Sequence, residues 1–510
     1  MRADRIVESR VAQGDGARLA FVLDDGTSFT YEALAGRIGS AAAALAGAGL
    51  RAGDRAALIG ENSTDMVVAL FGAMRVGAWA VPLNARMSAD EIDGILLHGE
   101  PRIVYLASGS SAEAAVHAAR LHATPAPAAL AAGMLQVRGG EAAGTTDAPD
   151  RVTGGDGDVA LMLYTSGSTG TPKGVMLTHA TLDFVTDLSR RQGVMGPGDV
   201  VYHALPISHS FGLISSLLCG LRSGATFRLA RRFSAQALGQ AIIDREVTVF
   251  MGVPAMYARL HEWAAQTGRA LVPNSLRMIY IGGALLDPAR KAQTEALLGL
   301  PLHNGYGLTE TAPIVSRTFG HPPRADVTTG WPVAGIEVEI RDPQGRVLAP
   351  GEAGEVCVRG PNVMKGYFRD PEQTRAALDE QGWLHTGDIG VFGPAGDLSI
   401  VGRIKELIVR SGFNVYPSEV EKAIAAHPDV AQCAVVGRRV PDNEEVVAYV
   451  EPLAGRDFDV DGLRAFLRDR LAPYKMPGAI HVMARLPASG TGKILKARLK
   501  ALAAGQEEAG

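Results

Sequence analysis

Apolar and polar positions along this chain follow two periods, and the change between them divides the sequence. YEALAGRIGSAAAALAGAG, at 31–49, spaces its apolar residues for one face of a helix and ends at Gly47 and Gly49. RAALIGEN, at 55–62, is an apolar strand running into polar residues; a helix through 67–76 and a strand AWAVPLN follow. This strand–helix–strand rhythm predicts a parallel sheet covered by helices. Residues 123–156, rich in Ala, Pro, Gly and Asp, read as a loose connection. DVALMLYT (158–165), VTVFMGV (247–253) and RMIYIGG (277–283) read as buried strands, the last two each preceded by a helix. From Gly335 the period shortens to two: GIEVEIRD, GEVCVRG and DLSIVGR are short alternating strands, with a DPQG turn among them. They predict an antiparallel or barrel-like subdomain. After Arg403 comes a compact α+β pattern: a strand, a helix at 418–426, strands AQCAVVG and VVAYVE, and a helix at 459–471. The expected fold is therefore α/β, with a large N-terminal domain at 1–402 and a small C-terminal α+β domain at 403–510.

Composition narrows this picture. A chain of 510 residues is too long for one ordinary core, in keeping with two domains. Net charge is -4, which excludes the basic field of a nucleic-acid binder. Cys219, Cys357 and Cys433 lie far apart without metal-ligand spacing, as expected in a reducing compartment. MRADRIVESR lacks the apolar stretch of a secretory leader, and no run reaches the ~18 apolar residues of a membrane helix. A cytoplasmic enzyme is expected, monomer or homodimer alike.

The segment richest in chemistry is YTSGSTGTPKGV (164–175), which follows a strand and precedes a helix beginning near His179. Small and hydroxyl-bearing residues let backbone amides approach an anion closely, and Lys173 adds positive charge. Ser/Thr/Gly-rich runs are commonly plain surface loops, but the strand before this one and the Pro-Lys-Gly closing it favour a phosphate cradle. It is not a Walker loop: no GxxxxGK[ST] occurs, and GTGK at 490–493 is followed by Ile494.

Four further segments, NGYGLTET (304–311), WLHTGDIG (383–390), GRIKELIVRSGFNVYPSEVE (402–421) and PASGTGKI (487–494), complete a set. With them the chain resembles, over nearly its whole length, the adenylate-forming superfamily of acyl-CoA synthetases, nonribosomal-peptide adenylation domains and luciferases. The resemblance implies an acid–thiol ligase. A carboxylate and ATP give an acyl-adenylate and pyrophosphate, and the acyl group then passes to coenzyme A with release of AMP. ATP contacts would come from Thr165, Ser166, Gly167, Ser168, Thr169, Gly170 and Lys173, and from Gly283, Ala284, Tyr306, Gly307 and Thr309. Tyr306 offers a ring face to adenine, Thr309 a hydroxyl to the α-phosphate, and Glu310 a hard oxygen ligand for Mg2+. Asp388, read as lying after a turn, has two oxygens for the ribose hydroxyls, with Arg403 nearby. Lys493 would neutralise charge as carboxylate meets the α-phosphate, stabilising the transition state more than the ground state.

The two half-reactions need different surroundings, and the family rotates its small domain between two poses. The hinge falls at Lys405; in the second pose Ser411, Gly412 and Asn414 would meet coenzyme A. The acyl wall implied by resemblance is His209, as a gate by the carboxylate, with Phe211, Ser215, Val253, Ile281, Gly305, Pro313 and Ile314. No cation stands where malonyl-specific relatives carry an arginine, since that position is Gly305, and none is found to hold a second carboxylate. No aspartate follows LPIS to bind an amine. An apolar monocarboxylate, fatty or aromatic, is expected. The alternatives are transfer to a carrier-protein phosphopantetheine, a luciferase-like oxygenase, and a non-catalytic nucleotide binder. The short stretch after Lys493 holds no carrier domain and favours free coenzyme A.

Overall fold

The computed structural model describes residues 1–130, 133–137, 154–155, 157–166, 172–284, 286–411, 413–441, 443–453, 458–488 and 494–505. Two large sheets dominate. The first has strand order Gly366–Tyr367, Pro172–Thr178, Val159–Ser166, Trp79–Asn84, Arg55–Gly60, Ile103–Leu106, Met134–Val137, Thr124–Pro125. Its centre is parallel, as the strand–helix–strand rhythm predicts. The second runs Trp331–Pro332, Ser316–Arg317, Leu302–Tyr306, Met278–Ile281, Val249–Gly252, Val200–His203, Thr226–Leu229, Leu19–Val22, Ser28–Thr30.

Helices lie between these sheets and are buried on both sides. In Thr64–Val76 the whole run Met66–Met74 is buried, so the helix is apolar all round rather than amphipathic. Ser63 caps its first turn by accepting from Met66 N, and Gly77 closes its end at φ 84°. Each large apolar side chain buried there stabilises the fold by about 1.5–3 kcal/mol. One continuous core joins both sheets through this helix, through Tyr31–Gly47 and through the π-helical turns Phe211–Leu218.

Two local expectations are corrected, and one gains a strand. The connection at 123–156 is not wholly loose: Met134–Val137 pairs antiparallel with Ile103–Leu106. The helix expected near His179 starts there, after a strand that the sequence reading did not include. Pro172–Thr178 returns antiparallel beside Val159–Ser166, and only then does His179–Arg191 begin. Leu384–Phe392 is a strand, so Asp388 lies in a sheet, with Gly387 at φ 69° just before it, rather than after a turn.

The period-two region forms an antiparallel sheet of Glu337–Arg341, Gly354–Arg359, Leu384–Phe392 and Leu398–Arg403. Beyond it, Ile408–Arg410 and Phe413–Val415 make a hairpin. Val430–Val440, Asn443–Pro452 and Ala479–Val482 make a small sheet backed by Pro417–Ala425, Val460–Arg468 and Lys496–Ala503. These elements bury apolar clusters of their own. Among the described residues no helix is long and apolar enough to cross a membrane.

Candidate functional site

The site gathers at the end of Leu302–Tyr306. Gly307 must lack a side chain, because a Cβ there would collide with the Pro313 carbonyl. That close return leads into a tight turn at Thr309–Thr311. Thr309 is 8% exposed and its Oγ1 lies 3.1 Å from Ser210 Oγ. The turn thus ties the expected α-phosphate hydroxyl to the segment that carries His209 and Phe211.

Tyr306 donates its hydroxyl to Asp388 Oδ2 at 2.7 Å, and Asp388 Oδ1 meets Arg403 Nε at 2.9 Å. Asp388 and Arg403 are register partners in adjacent strands, so the sheet itself sets this ion pair. Burial, and then the Asp388 carboxylate, holds the Tyr306 phenol well above its ordinary range. The strand carrying Asp388 is pinned from behind. Glu355 accepts from Gly387 N at 3.0 Å and lies 2.9 Å from His385 Nδ1, and Thr386 donates to the Val356 carbonyl at 2.7 Å.

Glu310 Oε1 accepts from the Tyr367 hydroxyl at 2.9 Å, and Lys173 Nζ stands 4.9 Å from the centre of that ring. Tyr367 therefore couples the base of the glycine-rich hairpin to the motif glutamate. Burial and Glu310 together push its phenol up. Thr165 and Lys173 face each other where the hairpin begins. Ser166 ends the first strand, while Gly167, Ser168, Thr169 and Gly170 lie outside the described residues. Gly283 and Ala284 are exposed just beyond Met278–Ile281.

On the acyl side, Phe211 stands on the π-helical turns with Ser215 one turn on, and His209 is exposed just before them. The Phe211 ring tilts against Tyr280 with centroids 6.2 Å apart, above the bare backbone of Gly282. Val253 borders Gly283. Gly305, Pro313 and Ile314 are half-buried along the neighbouring strand and turn. Ile281 is misassigned by the sequence reading. Alternation turns it into the outer core with Leu286 and Leu298, and Tyr280 takes the inward position. Arg317 stands opposite Gly305 and is 5% exposed, a buried cation beside this strand that the sequence reading did not place.

The coenzyme A candidates do not join this cluster. Ser411 N donates to Asn443 Oδ1 at 2.7 Å, and Asn414 sits on the hairpin whose Phe413 stacks on Tyr474, centroids 4.6 Å apart. Gly412 and Lys493 lie outside the described residues. Described residues on either side of Lys493 make contacts of their own. Ala488 bridges to Ile494, and Lys496 Nζ binds Glu406 at 2.6 Å and Glu421 at 2.8 Å. Lys405 lies in the exposed turn Ile404–Glu406 that Lys496 grips.

Ser210, Tyr280, Arg317 and Tyr367 escape the sequence reading. Tyr280 alone had a signal, the alternation within RMIYIGG. The others are brought in by strand register and chain crossing.

Known proteins match this arrangement. The family described as AMP-binding enzyme matches residues 8–368, and the AMP-binding enzyme C-terminal domain matches 419–493. A feruloyl-CoA synthase of Amycolatopsis sp is 37% identical over 479 residues, 93% of this chain and 94% of that protein. 4-coumarate–CoA ligase 1 of Oryza sativa subsp. japonica is 33% identical over 482 residues, 89% of this chain and 83% of that protein. The solved structure of ATP-bound MatB from Rhodopseudomonas palustris superposes with TM-score 0.84 at 30% identity, covering 98% of this chain and 99% of that one. The chain therefore belongs to the AMP-binding enzyme family and is an adenylate-forming, ATP-dependent acid–coenzyme A ligase.

Proposed function

We propose that the acid is an aromatic carboxylate of the hydroxycinnamate kind, activated in a pocket between Phe211 and the strand ends at Tyr280 and Gly305. The observation that carries this reading is the aromatic wall itself: the Phe211 ring lies on the backbone of Gly282 and leans on Tyr280, whose hydroxyl stands over Gly305. The feruloyl and 4-coumaroyl specificities of relatives covering most of the chain support it.

In this reading the adenine ring stacks on Tyr306, the ribose hydroxyls donate to Asp388, and Arg403 holds that carboxylate in place. Thr309 donates to the α-phosphate, with the hydroxyls and amides of the glycine-rich loop around the outer phosphates. Glu310 fits a magnesium ion, because Tyr367 engages Oε1 and leaves Oε2 as a hard oxygen donor. Magnesium bound there would neutralise phosphate charge. His209 gates the carboxylate, and Lys493 offsets the charge that develops as the carboxylate oxygen bonds to phosphorus.

We place the domain boundary at 402/403 and the hinge at Lys405, supported by the separate cores on either side. Rotation there would bring Ser411, Gly412 and Asn414 toward the adenylate, with free coenzyme A as acceptor. The need for ATP and coenzyme A supports a cytoplasmic setting. The test is a panel of fatty, aromatic and hydroxycinnamic acids with ATP and coenzyme A, read as thioester by mass. Thioester chiefly from the hydroxycinnamates is expected; preference for saturated fatty acids would contradict the proposal.

A further inference from the structure

We propose that the acyl pocket ends in a polar floor, made by the Tyr280 hydroxyl and the Arg317 guanidinium, that selects aromatic acids carrying a ring hydroxyl. This rests on the aromatic-acid reading above and adds the atoms that would recognise the far end of the ring.

Arg317 and Gly305 are opposite partners in an antiparallel pair, so their side-chain positions share one face of the sheet. On that face a Cβ at Gly305 would collide with the Tyr280 hydroxyl, so this hydroxyl occupies the space in front of Gly305. The Tyr280 ring leans on Phe211, at the proposed acyl wall. Arg317 also comes within electrostatic reach of Cys219, two helical turns beyond Phe211.

Among the described residues neither polar group has a hydrogen-bond partner. Arg317 is 5% exposed, yet among the described residues no carboxylate or hydrogen-bond acceptor meets its guanidinium. Its neighbours include the Phe319 ring, 5.9 Å to the centroid, and His303, which lies against that ring. Tyr280 uses its carbonyl to accept from Tyr257, while its hydroxyl has no hydrogen-bond partner among the described residues. A buried cation is costly unless something accepts its hydrogen bonds. A ring hydroxyl supplies what is missing: its oxygen accepts from Arg317, and its proton is shared with the Tyr280 oxygen. Burial keeps the Tyr280 phenol protonated, pushed up to about 12, so it meets the ligand as a neutral hydroxyl whose oxygen accepts.

The experiment compares kcat/KM for thioester formation from 4-hydroxycinnamate, cinnamate and 4-carboxycinnamate in wild type, R317M and Y280F. Wild type should favour the hydroxy acid over cinnamate by about tenfold to a hundredfold, the range for a hydrogen bond to a charged group. That ratio should fall to near one in R317M and at least about threefold in Y280F, whatever the absolute rates. Should R317M fail to fold, the Y280F ratio decides. Unchanged ratios in the variants would leave Arg317 a mere prop for Phe319 and overturn the floor. A wild-type preference for 4-carboxycinnamate that R317M abolishes would overturn the phenol assignment in favour of a second carboxylate. No thioester from any of these acids would overturn the aromatic-acid reading first, and the floor with it.

Discussion

Replacing Asp388 by asparagine keeps the shape of the side chain and removes its charge. Asp388 is 4% exposed and receives the Tyr306 hydroxyl at 2.7 Å and Arg403 Nε at 2.9 Å. The Arg403 side chain is 51% exposed, so its pair is screened and worth about 0–1 kcal/mol. The Tyr306 bond to a charged acceptor is worth about 1.5–3 kcal/mol and drops to roughly 0.5–1.5 with a neutral amide. D388N should therefore cost about 1–3 kcal/mol of stability and remain folded. Its effect on nucleotide should be larger in proportion. Each ribose hydroxyl loses a charged acceptor at roughly 1 kcal/mol, so ATP should bind about 10- to 50-fold more weakly. Calorimetric titration of ATP, 2′-deoxy-ATP and 3′-deoxy-ATP isolates the interaction as a double-mutant cycle. Wild type should discriminate against the deoxy nucleotides about tenfold, and D388N by less than about threefold. Equal discrimination in both proteins would remove the ribose from Asp388.

Other perturbations probe separate parts of the site. Glu310→Gln keeps an acceptor for Tyr367 but weakens a hard oxygen ligand, so half-maximal pyrophosphate release should need about tenfold more magnesium; an unshifted magnesium titration would contradict that role. Lys405→Pro should slow thioester formation more than adenylation, measured as separate half-reactions, and equal losses would count against the hinge. His203 is buried against Ser216 Oγ at 2.8 Å, and burial pulls its pKa down to about 3. The unfolded chain binds that proton near pH 6.5, so the neutral histidine contributes stability above about 6.5 that is lost as pH falls toward about 3. The melting temperature should drop across that window, and less steeply in His203→Asn; identical slopes would refute the assignment.

What the sequence made legible was local. The helix at 31–49 and the strands at 55–62 and 158–165 carry their period within a few residues, and the motif around Tyr306 keeps its functional residues adjacent. What it concealed depends on register between distant strands. Pro172–Thr178 follows a stretch whose composition speaks for a loop, not for the returning strand. Asp388 reads as turn chemistry because Thr386 and Gly387 precede it, yet pairing with Gly354–Arg359 and Leu398–Arg403 makes it a strand residue. Ile281 and Tyr280 exchange roles by one step of alternation, which only the packing on either face decides. Arg317 is an ordinary arginine in PIVSRTF until its pairing with Gly305 turns it toward Tyr280.

Isotope exchange between pyrophosphate and ATP, driven by acid in the absence of coenzyme A, reaches the core of the mechanism most directly. Acid-dependent exchange should appear in wild type, and added coenzyme A should divert it into thioester and AMP. Lys493→Ala should lower the exchange by at least about a hundredfold while ATP still binds. Exchange at wild-type rate in that variant, or release of ADP in place of AMP, would contradict adenylate formation assisted by Lys493.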